Sequence, residues 1–329
     1  MVYKPYVIPA LDSINAENFK NVALSLFFYQ YYNNQVYRDF VNALHIIPTD
    51  VKNILQIPFL PISFFKTHKV TTGEHSEPAF IFESSGTTAE VPSRHYVYDS
   101  DLYKTSLLNG FRQFYGAPQD YVILALLPSY LERGSSSLVH MAKVLMEKSG
   151  HGESGFYLNE FDKLHKTILE LEKRKQPTLL LGVTFALLDF AEMYPMKLEH
   201  TIVMETGGMK GRREEMTRTE VHAILKQQWQ LQQVHSEYGM TELLSQAYSK
   251  GDGIFNCAYT MKVLVRDIND PLEVNESGVG CINIIDLANV HSCAFIATDD
   301  IGNLQADGSF EVLGRMDNAV LRGCSLMAI

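Results

Sequence analysis

Three observations predict an α/β protein with mixed sheets flanked by helices and a β-rich C-terminal part. Apolar runs of strand length recur at residues 79–82, 121–127, 178–183 and 201–204, and each ends in glycine or polar residues. Between them, apolar residues fall at spacings of three and four, the pattern of helices packed on a sheet. From Met261 the texture changes to β-like runs at 261–265, 281–285 and 295–298. The turn formers Glu276-Ser277-Gly278 and Ala306-Asp307-Gly308-Ser309 punctuate this part and predict antiparallel strands.

At 329 residues with 46% hydrophobic side chains, the chain can bury a substantial core. A formal charge of −10 argues against a general binder of nucleic acid or of an anionic membrane surface, while leaving room for a local basic pocket. The four cysteines, Cys257, Cys281, Cys293 and Cys324, form no C-x-x-C pair and suit reduced thiols. His291 with Cys281 and Cys293 matches no common zinc spacing. Residues 1–5 lack the basic and apolar regions of a signal peptide, and no run approaches the ~18 apolar residues that span a bilayer. The expected location is the cytoplasm, with no membrane span.

In order, the chain divides into a helical N-terminal segment (1–75), an α/β core (76–255) and a β-rich part of the same domain (256–329). Residues 16–44 carry an aromatic stripe at helical spacing, with Asn33-Asn34 as a break between two helices. Pro58 and Pro61 favour an extended segment over 57–66. Helices are expected at 101–115 and 135–148, then after a cap at Asp162, and over 212–231 with Met216, Val221, Ile224, Leu225 and Trp229 as its buried stripe.

Ligands of open α/β sheets gather outside the carboxyl ends of the strands. The polar tips here are Ser84, Ser129, Gly182, Thr206 and Ser236. The first opens Ser84-Ser85-Gly86-Thr87-Thr88, four hydroxyls about one glycine. Glycine lets backbone N–H groups approach an anion, and hydroxyls donate to phosphate oxygens without adding fixed charge. The same residue types dominate ordinary turns, so the loop by itself supports both readings.

Three later stretches accompany it: Glu205-Thr206-Gly207-Gly208; Ser236-Glu237-Tyr238-Gly239-Met240-Thr241-Glu242; and Thr298-Asp299-Asp300-Ile301-Gly302 followed by Gly314-Arg315-Met316-Asp317. In this order the four resemble the motifs of the adenylate-forming (AMP-binding) superfamily of acyl-CoA synthetases, firefly-type luciferases and peptide-synthetase adenylation domains. Within it, the chain looks most like the acyl-protein synthetase (LuxE-type) family, related to phenylacetate–CoA ligases. The resemblance runs from about Pro58 to the C-terminus and implies the large N-terminal-type domain of these enzymes, with 76–255 as its nucleotide-binding core.

Carried over residue by residue, the resemblance assigns Ser84, Ser85, Gly86, Thr87 and Thr88 to the β- and γ-phosphates of ATP. Gly207 and Gly208 fall beside the adenine, Tyr238 stacks on it, and Gly239 belongs to the same motif. Thr241 contacts the α-phosphate and Glu242 helps hold Mg²⁺. Asp300, with Asp299 as the alternative, accepts from the ribose hydroxyls, and Arg315 is a cationic partner of ribose or phosphate. The implied reaction activates a carboxylic acid, fatty or aromatic, as acyl-adenylate and passes the acyl group to a thiol. Cys324 resembles a near-terminal acyl-accepting cysteine; an acceptor or carrier protein is the other destination. Alternatives are a CoA ligase, using CoA as acceptor, and a nucleotide-binding protein without adenylation. Tyr130, residues 135–137, Val183, Phe185 and Leu187 are acyl-pocket candidates because they follow strand ends.

The sequence departs from the superfamily pattern twice. After Thr88 it runs Ala89-Glu90-Val91-Pro92-Ser93-Arg94, leaving Arg94 or Lys104 as the cation in place of a motif lysine. The superfamily also continues past Gly-Arg-x-Asp into a small mobile domain carrying a catalytic lysine, which is absent from this sequence; LuxE-type proteins are likewise short there.

Overall fold

The aromatic N-terminal stretch folds as two helices, α1 (Phe19–Asn33) and α2 (Gln35–Ala43), broken at the paired asparagines. Asn34 is extended at φ −120° and caps α2, its side chain accepting from the Tyr37 N–H at 3.0 Å. Phe27 and Tyr37 are fully buried against Phe295, with ring centroids 6.3 and 6.0 Å away, so the stripe is core. The computed structural model describes residues 8–84, 91–128, 135–158, 160–207 and 216–316.

Pro58 and Pro61 keep the next segment extended as β1 (Leu60–Pro61), but beyond them the chain turns into a short helix, α3 (Phe64–Thr67). A hairpin follows, β2 (Phe80–Glu83) with β3 (Arg94–Val97), in which Glu83 stands opposite Arg94. Then helices and strands alternate: α4 (Ser100–Tyr115), β4 (Val122–Leu126), α5 (Ser137–Ser149), β5 (Gly155–Phe156), α6 (Phe161–Lys173), β6 (Thr178–Gly182), α7 (Thr184–Met193), β7 (Thr201–Glu205) and α8 (Arg218–Trp229). Every residue of β4 and β6 is buried, which is why both read as unbroken apolar runs. The rest is β: β8 (His235–Tyr238), β9 (Ala247–Ser249), β10 (Ile254–Cys257), β11 (Met261–Arg266), β12 (Val274–Asn275), β13 (Gly278–Asp286), β14 (Phe295–Leu304) and β15 (Phe310–Arg315).

One sheet runs β12-β11-β13-β14-β15-β10-β9-β8-β7-β6-β4-β5, with β1 beside β14. The strands from β5 to β8 along this path are parallel, and from β8 to β12 every pairing is antiparallel. The change falls at β8. The line expected between 255 and 256 passes through β10, and hydrogen bonding to β9 and β15 carries the sheet across it.

Two local expectations need correction. Asp162 does not cap its helix: the cap position of α6 is Glu160, which makes no side-chain cap bond, while Asp162 lies in the first turn and accepts from the Tyr194 hydroxyl. The described part of the 212–231 helix starts at Arg218, where Thr217 and Glu220 form a reciprocal capping box. Among the described residues, no helix is long and apolar enough to cross a membrane.

Candidate active site

Side chains alternate along a strand, and β8 therefore presents Ser236 and Tyr238 to one face and Glu237 to the other. On the first face Glu205, at the end of β7, gathers three donors. Its carboxylate accepts from the Thr184 hydroxyl, from the Gly207 N–H at 2.7 Å and from the Ser236 hydroxyl at 3.5 Å. Burial works to raise its pKa, but the His222 ring 3.9 Å away, the bond from Thr184 and the charge of Arg218 outweigh it and hold the carboxyl below its usual range. Gly207 has φ +76°, a conformation open to glycine, which lets its N–H turn back onto that carboxylate. The turn after β7 is thus pinned by charge.

Tyr238, Asp300 and Arg315 meet next. The Tyr238 hydroxyl donates to Asp300 at 2.8 Å, and Arg315 Nε lies 3.9 Å from the other Asp300 oxygen, the two residues standing opposite each other on β14 and β15. Burial raises the pKa of Asp300, against the Tyr238 bond and the Arg315 charge. Asp299, one residue earlier, lines a cavity of about 490 Å³ with Arg266. Strand alternation so separates the two candidate acids, and only Asp300 joins Tyr238 and Arg315. The Tyr238 ring packs on Phe255 and Phe310, with centroids 5.9 and 5.5 Å away, leaving the residue 8% exposed. Little of it is open to a base.

Glu242 is 4% exposed. Burial raises its pKa, opposed by the nearby Ser93 hydroxyl and the charges of Arg315 and Lys66. Ser93 is in turn paired with Ser84, its N–H donating to Ser84 Oγ at 2.9 Å and its carbonyl accepting the Ser84 N–H at 3.1 Å. Beneath, the buried His95 has its ring nitrogens 2.9 Å from the Thr241 carbonyl and 3.0 Å from Asn289 Oδ1. Burial pulls its pKa down to about 4, so the ring is neutral and donates to one of the two at a time. Asn289 also donates to the Glu242 carbonyl at 2.8 Å, so β3 and the β13–β14 connection together fix the Thr241-Glu242 turn.

Arg94 pairs with Glu83 at 3.0 Å on an exposed edge, beside Ser84. Such pairs are weak and exchange readily. Lys104 lies near His140, whose pKa is lowered chiefly by burial and then by Lys143 and Lys104. Val183, Phe185 and Leu187 are buried core residues. Ser85, Gly86, Thr87, Thr88, Tyr130, Gly208 and Cys324 lie outside the described residues.

Ser93, Asn289 and Lys66 had no signal in the sequence, since each joins the site through contacts distant along the chain. Glu205 stood inside a recognised motif, and its acidic side chain at a strand end was the clue to its role.

No protein-family model and no curated protein matches the chain. Solved structures do. A 2-hydroxyisobutyryl-CoA ligase in the postadenylation state, in complex with 2-HIB-AMP, is 14% identical with a TM-score of 0.65, over 95% of this chain and 73% of that one. ATP-bound MatB from Rhodopseudomonas palustris is 19% identical with a TM-score of 0.54, over 74% of this chain and 50% of that one. The amide bond synthetase McbA from Marinactinospora thermotolerans is 16% identical with a TM-score of 0.53, over 76% and 52%. The chain has the fold of adenylate-forming ligases. It spans about half the length of the MatB and McbA structures.

Proposed function

We propose that this protein activates a carboxylic acid with ATP, as an acyl-adenylate, and transfers the acyl group to a protein thiol in the manner of the LuxE-type acyl-protein synthetases. The observation that carries the reading is the convergence at the tip of β8. There the Glu242 carboxyl, the Ser93–Ser84 pair, and the Tyr238–Asp300–Arg315 group come together. Hydroxyls and Arg315 suit phosphate oxygens, Asp300 suits ribose hydroxyls, and the pinned Gly207 turn offers backbone to a base. The ligand names of the similar structures, ATP and an acyl-AMP, agree with that assignment.

The residues also fit Mg²⁺. That ion takes one or two carboxylates and completes its shell with phosphate and water oxygens. Glu242 would provide one carboxylate, beside the cationic Arg315 that faces the same phosphates. Mg²⁺ would accordingly be shared between Glu242 and the ATP phosphates, where it supplies neutralising charge.

For the acceptor, burial pushes the Cys257 and Cys293 thiols up to about 12 and raises Cys281 as well. None of these three supplies a thiolate near neutral pH. That leaves Cys324 or a cysteine or carrier thiol on a partner protein.

Carboxylate-dependent exchange of pyrophosphate into ATP tests the activation step: Thr241→Ala and Glu242→Ala should each lower it at least ~100-fold, as expected for loss of a group that stabilises transition-state charge. Robust exchange in both variants would reject the assignment. For the transfer step, labelled acid should leave a hydroxylamine-sensitive adduct that Cys324→Ser abolishes. An undiminished adduct places the thiol elsewhere, and release of acyl-CoA on adding CoA would instead identify a CoA ligase.

A further inference from the structure

The cavity that Asp299 and Arg266 line has no part in the reaction above. It holds about 490 Å³, within the range of ligand sites, and lies between the N-terminal segment and the end of the sheet at β12. One wall is the stretch that follows α2, from Ile47 to the extended run at Phe59; the other is the β11–β12 hairpin, with Leu272 and Val274. Phe59 is 6% exposed, whereas Ile47 is 60% and Leu272 51% exposed. Large apolar side chains left open on both walls of one cavity mark a binding surface.

The polar groups narrow what would cover it. Arg266 is buried, and its guanidinium donates to the Ile282 carbonyl at 3.1 Å, to Asn283 Oδ1 at 2.7 Å and to the Thr298 carbonyl at 2.6 Å, all neutral acceptors. Asp299 is near enough to act on its charge, but no carboxylate stands within ion-pairing distance of it among the described residues. Buried guanidinium groups are normally paired with an anion. Here Arg266 and Asp299 stand beside each other unpaired, and together they can accept the N–H and donate to the carbonyl of a peptide group.

Around the mouth the charge is acidic. Asp50 lines the first wall, and Asp267, Asp270 and Glu273 are exposed on the hairpin. None of the four forms an ion pair among the described residues, and the exposed Lys52, two positions beyond Asp50, is the opposing charge. Carboxylates on both walls repel a fatty acid or an anionic lipid, and a formal charge of −10 opposes a second copy of this chain. A simple alkylamine brings one cation to two acidic walls.

We propose that this cavity docks a partner protein through an apolar peptide segment flanked by lysine or arginine. The apolar side chains enter between Ile47 and Leu272, and the flanking cations meet the carboxylates on either wall. A desolvated apolar centre holds such a partner, while the charged rim steers and selects it. The docking does not depend on the adenylating function proposed above.

The test uses the full chain and fluorescein-labelled peptides read by anisotropy: a core of leucine, valine and phenylalanine flanked by lysines, the same core flanked by glutamates, and a serine–glycine core flanked by lysines. The first should bind at least ~10-fold tighter than either of the others, and more weakly as salt rises. Ile47→Ser with Leu272→Ser, both exposed positions, should weaken it at least ~10-fold, and Asp50→Lys with Glu273→Lys should shift the preference toward the glutamate-flanked peptide. No binding, equal binding of all three peptides, or binding unchanged in both double variants overturns the proposal. So does displacement of the peptide by dodecylamine or a fatty acid at lower concentration, which gives the cavity to a small amphiphile. Self-association of wild type that the Ile47→Ser, Leu272→Ser variant loses gives it to a second copy, and peptide binding that emerges only when residues 317–329 are deleted gives it to this chain's own end; either outcome overturns the partner.

Discussion

At the scale of single residues, the Tyr238–Asp300 bond sets two properties at once. Asp300 is largely buried, which raises its pKa, while the Tyr238 hydroxyl at 2.8 Å and the nearby Arg315 favour its charged form. Removing the donor leaves a buried acceptor without its partner, at a cost of roughly 1–3 kcal/mol. Tyr238→Phe is therefore expected to lower stability by about that amount and to raise the KM for ATP several-fold with little change in kcat, because the ring packing on Phe255 and Phe310 survives. A steady-state ATP titration alongside denaturant unfolding measures both. The pairing itself was not legible in the sequence. Asp299 and Asp300 are adjacent and chemically alike, and only the register of β14 on β15 sets Asp300 opposite Arg315.

Among elements, α8 shows a local rule that one stretch of sequence carries in full. Thr217 and Glu220 satisfy each other's backbone donors, with the Thr217 N–H 2.8 Å from the Glu220 carboxylate and the Glu220 N–H 3.3 Å from the Thr217 hydroxyl. Thr217→Ala should cost about 1 kcal/mol of unfolding free energy, measurable in urea. Of the expected stripe, Val221, Leu225 and Trp229 are buried, Ile224 is partly buried and Met216 lies ahead of the helix, and the same helix contributes His222 to Glu205. Capping and periodicity are short-range and so were readable; the missed helix α3 and the misplaced cap at Asp162 were not. In both cases contacts far along the chain prevailed. Asp162 is held by Tyr194, the residue that follows α7, and β1 ahead of α3 is fixed by pairing with β14.

Across the whole molecule, burial sets how stability depends on pH. The rings of His95 and His235 are pulled down to about 4, mainly by burial, with Lys250 and His222 adding to the effect at His235. Their unfolded forms take up protons near 6.5 while the folded forms resist, so stability is lost as pH falls from about 6.5 toward 4. Glu237 acts in the opposite sense. Raised from 4.5 to about 8, it stays protonated in the fold, and stability is lost as pH rises through that interval. Thermal unfolding across this range should show His235→Gln with a shallower acid decline than wild type and Glu237→Gln with a shallower decline above about pH 5. Parallel curves for wild type and either variant would contradict the corresponding assignment.

The sequence by itself determined the α/β class, the change to β texture after Met261, most of the helices and the order of four motifs. These follow from periodicity, turn chemistry and short spacings, each a property of one stretch. Only the tertiary structure decided that the sheet passes from parallel to antiparallel at β8, that Ser93 pairs with Ser84, and that the register of β14 on β15 sets Asp300 opposite Arg315. Those outcomes depend on register and burial between segments far apart in the chain, where the spacing of residues in sequence carries no information about which side chains meet.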